Sequence, residues 1–110
     1  MKYLIFILCI LMIGGCDLFD FDIKYEVTGS AATVNITYKN EDGGTSQANG
    51  VSMPWSYSFT AQPGDSVYLS AQNNGESGTI TVTIFKGSSE FKKSSSVGPY
   101  CIATASGILQ

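Results

Sequence analysis

Ser89-Glu90-Phe91-Lys92 is the nearest approach to a catalytic motif in this chain, because it satisfies the S-x-x-K pattern of penicillin-interacting acyl enzymes. That motif works when a helix sets serine and lysine one turn apart. On a strand, residues three apart point to opposite faces, and the companion Ser-Asp-Asn and Lys-Thr-Gly motifs are missing. The sequence contains no histidine, which removes the commonest general base and the commonest metal ligand together. Glu41-Asp42 sits among turn residues, where solvation accounts for it. Asp17, Asp20 and Asp22 lack the glycine turn and the bidentate glutamate of a calcium loop. No glycine-rich phosphate loop opens a helix. The expectation is a non-enzymatic chain with no catalytic, metal or cofactor residues and no small-molecule ligand.

The remaining reactive groups are three cysteines. Cys16 closes the stretch Ile13-Gly14-Gly15-Cys16, which follows Lys2 and an apolar run from Tyr3 to Ile13. A basic start, a short apolar segment and small residues before a cut site describe a secretory signal peptide. The run would span roughly 16 Å as a helix, about half of a hydrocarbon core. Its last four residues resemble the bacterial lipobox, whose cysteine is acylated and becomes the new N-terminus. Lipidation at Cys16 would anchor the protein to a membrane in the bacterial envelope. Asp17 resembles the inner-membrane retention signal of enteric bacteria and favours the inner membrane, facing the periplasm. Cys9 falls in the removed peptide. Cys101 stays free, read as a buried small hydrophobe on the last strand or as a thiol open to intermolecular pairing.

Cleavage before Cys16 leaves 95 residues, room for one small domain. Acidic residues outnumber basic ones nine to six, and arginine is absent. Phosphate-neutralising cations are therefore too few for nucleic acid, and no basic patch is available for anionic lipid. The expected organisation is a signal peptide over residues 1–15, the lipidated cysteine and an acidic tether over 16–22, a domain over 23–106, and a tail over 107–110.

The elements that must position any site are strands. Ile23, Tyr25 and Val27 alternate with polar residues, as do Val34, Ile36 and Tyr38. Glu41-Asp42-Gly43-Gly44 and Gln62-Pro63-Gly64-Asp65 supply turn chemistry. Trp55, Tyr57 and Phe59 alternate with serines; Val67, Leu69 and Ala71 follow, ending at Asn73-Asn74-Gly75. Thr79 to Phe85 is the strongest strand, with Ile80, Val82 and Ile84 on one face. A polar strand around Phe91 and a last one from Tyr100 to Ala105 complete the set. This pattern predicts an all-β fold, an antiparallel, immunoglobulin-like sandwich of about seven strands. Trp55 and the Thr79–Phe85 aliphatics are the expected middle of the core. Glu90–Ser96, with Lys92 and Lys93, reads as a protected edge.

For recognition, the sequence offers a loop, a lone aromatic and an edge. Tyr68 is out of phase with Val67 and Leu69 and should face solvent. Asn73, Asn74 and Glu76 belong to the segment Asn73–Gly78, whose composition predicts a mobile loop with no apolar tie to the core. The Glu90–Ser96 edge could add a strand from a partner.

The wording Tyr25-to-Tyr38 (YEVTGSAATVNITY), Val51-to-Phe59 (VSMPWSYSF) and Tyr100-Cys101 resembles the mycobacterial small membrane protein family, MmpS. The resemblance implies an extracytoplasmic β-sandwich that serves as an accessory or adaptor of RND-type lipid and siderophore exporters, with an envelope or membrane protein as its partner. Two departures stand out. That family is tethered by a transmembrane helix rather than a lipobox, and its last-strand cysteine can pair with one in an earlier strand, which Thr79 to Phe85 lacks. The alternative function is a small inhibitory lipoprotein that blocks phage superinfection or confers toxin immunity.

Overall fold

The computed structural model describes residues 20–110, so the expected signal peptide and Cys16 lie outside the described residues. Eight strands follow one another: β1 (Phe21–Thr28), β2 (Val34–Lys39), β3 (Thr45–Val51), β4 (Trp55–Ala61), β5 (Ser66–Asn73), β6 (Thr79–Lys86), β7 (Ser89–Val97) and β8 (Ile102–Ile108). They form two four-stranded antiparallel sheets, ordered β4-β1-β6-β7 and β3-β2-β5-β8. The all-β sandwich expected from alternation is therefore present, with one strand more than the pattern showed. The additional strand is β3. Its inward positions are Ser46, Ala48 and Val51, and it borrows its register from β2 across Lys39↔Thr45 and Val34↔Val51. An edge strand with small inward residues carries no hydrophobic alternation of its own.

Period-two alternation places Ile23, Tyr25 and Val27 of β1 against Ile80, Val82 and Ile84 of β6, all essentially without solvent contact. Val34, Ile36, Val67, Leu69, Ala71, Ala103 and Ala105 answer from the second sheet. Each fully buried branched aliphatic contributes about 1.5–3 kcal/mol. The central large side chain is Tyr25, not Trp55. β4 is an edge strand, so Trp55, Tyr57 and Phe59 are half-buried and close the side of the core. Tyr25 and Phe59 meet edge to face with centroids 5.1 Å apart, and Tyr38 lies 5.1 Å from Trp55.

The domain boundaries differ from the expected ones. Phe21 and Asp22, read as tether, pair with Ala61 and Thr60. Of residues 107–110, read as tail, Gly107 and Ile108 finish β8 and Leu109 is completely buried just after it. The Leu109 amide donates to the Asp65 carbonyl at 2.8 Å, and the Gly64 amide donates to the Leu109 carbonyl at 2.7 Å. Tyr100 lies in the turn before β8 rather than opening that strand.

Two ends result. The proximal end holds the start of β1, the β2–β3 and β6–β7 hairpins, the 62–65 connection and Leu109. The distal end holds loops 29–33, 52–54, 74–78 and 98–101, and every one of these crosses from one sheet to the other.

Candidate functional site

Three of the distal loops are stitched to one another through the backbone. The Ser30 and Ala31 amides donate to the Thr79 carbonyl at 3.1 and 3.3 Å, and the Asn74 amide donates to the Thr33 carbonyl at 3.1 Å. The Tyr100 amide donates to the Gly75 carbonyl at 3.0 Å, and the Gly98 amide to the Gly78 carbonyl at 3.1 Å. Asn73 is the hub. Its amide nitrogen Nδ2 donates to the carbonyls of Ser77 at 2.8 Å and Gly98 at 3.2 Å, while its Oδ1 accepts from the Gly75 amide at 2.8 Å. The side chain is wholly buried and its bonds end within the protein.

This arrangement corrects the reading of 73–78 as a loose loop. Its polar composition serves hydrogen bonds to neighbouring loops, so apolar anchors are not needed to hold it. Asn73 shapes the loop from inside and exposes none of its own surface to solvent. Asn74 is exposed, yet its Nδ2 donates to Asn35 Oδ1 at 3.0 Å, and the same oxygen accepts from the Gly50 amide at 2.9 Å. Glu76 projects to solvent and forms no ion pair among the described residues. Tyr68 is 40 % exposed, as its phase indicates, but stands on the outer face of the second sheet opposite Ser106, away from this loop.

Sequence reasoning missed the residues beside it. Val97, Tyr100 and Ile102 are 72 %, 54 % and 55 % exposed around the β7–β8 corner. Tyr100 has φ +51°, the sole non-glycine described residue in the left-handed region. That conformation costs roughly 1–2 kcal/mol. It is held by the Tyr100 amide bond to Gly75 and by Gln72 Nε2 donating to the Tyr100 carbonyl at 3.3 Å. A signal existed in Gly98-Pro99, which breaks the strand just before Tyr100, but no pattern in the sequence specifies a tyrosine at positive φ.

The groups weighed for chemistry do not assemble. Ser89 stands opposite Lys86 at the start of β7, and the Lys92 ammonium lies 5.3 Å from the Phe91 ring centroid. Cys101 is free and half-buried against the core, in the turn before β8. Among the described residues no group of three His, Cys, Asp or Glu side chains could hold a metal. A shallow recess of about 170 Å³ at the proximal end is lined by Lys39, Asn40, Asp42, Phe59 and Asp65 among others. The Lys39 ammonium there donates to the Ser66 hydroxyl. Among the described residues the one displaced ionisation belongs to Tyr25: burial pushes its phenol up to about 12, partly opposed by the Tyr68 amide that donates to its oxygen. Tyr25 in turn donates to the Lys39 carbonyl at 2.8 Å, a bond that ties the two sheets together.

Fold and surface together define a small β-sandwich whose distal end is stitched through hydrogen bonds and partly apolar. The chain belongs to the Mycobacterium membrane protein family, whose model matches residues 5–105. It is 35% identical over 63 residues to the siderophore export accessory protein MmpS5 of Mycobacterium tuberculosis. The same identity holds to the protein of Mycobacterium bovis named "Probable transport accessory protein MmpS5". Each match covers 56% of this chain and 44% of the relative, so the aligned region is under half the length of the curated relatives. No helix among the described residues is long and apolar enough to cross a membrane.

Proposed function

We propose that this protein is a non-enzymatic accessory module of a membrane transport system, lipid-anchored through Cys16 in the bacterial envelope and facing the periplasm from the inner membrane. Its partner is an envelope membrane protein, an RND-type exporter on this reading. Family membership is the observation that carries the proposal, since relatives in the family are named for accessory roles in transport and siderophore export. The fold supports it. The chain runs into the domain at Phe21 on the proximal end, which leaves the distal loops directed away from an N-terminal anchor.

The test is affinity isolation of the tagged full-length chain from detergent-solubilised membranes of its native host, with export of the transporter's substrate measured after deletion. An RND-type transporter should co-purify with it, and export should fall on deletion. Recovery without any transport protein, together with unaltered export, would refute the proposal. Labelling with an alkyne fatty acid addresses the anchor: wild type should label and Cys16→Ser should not.

A further inference from the structure

Two properties of the distal end coincide. Its backbone is already ordered by inter-loop hydrogen bonds, so binding there would cost little conformational entropy. Across its four loops it carries a single charge, Glu76. The described lysines belong to β1, β2, β6 and β7 instead. We propose that the distal end docks a different protein through an apolar surface bearing a lysine or arginine. Val97 and Tyr100 meet the apolar part and Glu76 meets the cation. This inference rests on the accessory reading above and adds to it which surface is used and what chemistry the partner shows there.

Charge decides between the candidate occupants. A two-fold contact between the distal ends of two copies would set Glu76 against Glu76 with no lysine nearby, so self-association is disfavoured. An anionic lipid surface meets the same carboxylate and finds no cation in these loops. A cationic patch on another protein satisfies Glu76 and covers the exposed corner. Tyr68, Ile102 and Ile108, the other large exposed apolar side chains among the described residues, lie on the outer face of the second sheet, Tyr68 and Ile108 diagonally paired across Ser66↔Ile108 and Tyr68↔Ser106. They serve as an internal control.

The experiment is site-specific photocrosslinking of the full chain in membranes of its native host. Benzoylphenylalanine replaces Val97 or Tyr100 at the distal corner, or Tyr68 or Ser58 on the outer sheet faces, and crosslinked peptides are sequenced by mass spectrometry. Val97 and Tyr100 should give adducts to one extracytoplasmic segment of a transport protein that contains a lysine or arginine. Tyr68 and Ser58 should give at least about tenfold less, and Glu76→Lys should lower the Tyr100 adduct by about tenfold. Reversing the partner's cation in the Glu76→Lys background should restore it. Adducts to that transport protein from Tyr68 or Ser58 but not from the corner would overturn the docking assignment and leave the accessory function standing. Adducts at the corner that join two copies, or join lipid, would also overturn it, as would an unchanged yield with Glu76→Lys. Failure of all four positions to reach any transport protein would remove the accessory function as well. Thermal melts of each variant establish that the fold is intact.

Discussion

Where the distal end joins the two sheets through four crossing loops with one charge among them, the proximal end joins them through a single crossing, residues 62–65. That end gathers Glu41, Asp42 and Asp65 in its turns, with Lys39 and Lys86 at its strand ends. Turns that stay in water can be made of charges and need few contacts. Loops fixed to one another and nearly free of charge present a surface that can lose its water at low cost. The two ends of one small sandwich are thus suited to different surroundings, although the same strands run between them.

The sharpest way to break this comparison is one glycine at each end. A Cβ on Gly78 would lie 2.7 Å from the Ala31 Cα and 2.9 Å from its nitrogen, with φ at +116° besides. Gly64 also has positive φ, at +94°, but nothing lies within 4 Å of its Cβ position. Gly78→Ala should therefore cost more than about 3 kcal/mol, or prevent folding, while Gly64→Ala should cost about 1–2 kcal/mol. Urea midpoints measure the difference. Equal losses would show that the distal loops yield as readily as the proximal turns.

Asn73→Ala comes next, at about 2–3 kcal/mol, because it strips partners from two carbonyls and one amide in a buried place. Amide exchange should quicken at Gly75 and Tyr100 in that variant, while the exchange of Leu109 should not change. A loss spread evenly over both ends would refute the hub role of Asn73.

Tyr25→Phe should cost about 1 kcal/mol near neutrality by removing the bond to the Lys39 carbonyl. It also has a pH signature. The phenol ionises near 12 in the folded protein and near 10 when unfolded. The native state therefore holds the proton longer, its contribution is complete below about pH 10, and stability falls as pH rises from there toward 12. Denaturation midpoints across that window should decline less in Tyr25→Phe than in wild type. The smallest effect belongs to Lys93→Ala. Its ammonium lies 3.7 Å from Glu90 with both side chains about half exposed, and the expected change is under about 0.5 kcal/mol.

Much of the sandwich was legible because burial follows alternation: β1, β2, β5 and β6 carry their inward faces in the order of their residues. Thr45–Val51 was not legible, since an edge strand of threonine, glutamine and asparagine is specified by its neighbour. Trp55 misled because size suggests the centre, whereas topology placed its strand on the edge. The family resemblance rested on Tyr25–Tyr38 and Val51–Phe59, segments that belong to the core and its side. At the distal end Glu76 was visible as an exposed acid. Asn73 was not visible as structural, because hydrogen bonds to loops 25 residues away leave no local pattern. The exposed corner escaped for a similar reason: Tyr100 read as a strand residue, whereas it lies in the turn where the chain crosses between the sheets.

β1 lies between β4 and β6, and it begins at Phe21 on the proximal end. If the distal end is held by a partner while the N-terminal segment is drawn toward a membrane, the load falls on β1 along its axis. Both hydrogen-bond ladders lie across that pull, so they share it in shear rather than opening one bond at a time. Under such a load the strand would act as a splice between its two ends, and the domain would carry the tension without unravelling from its edge.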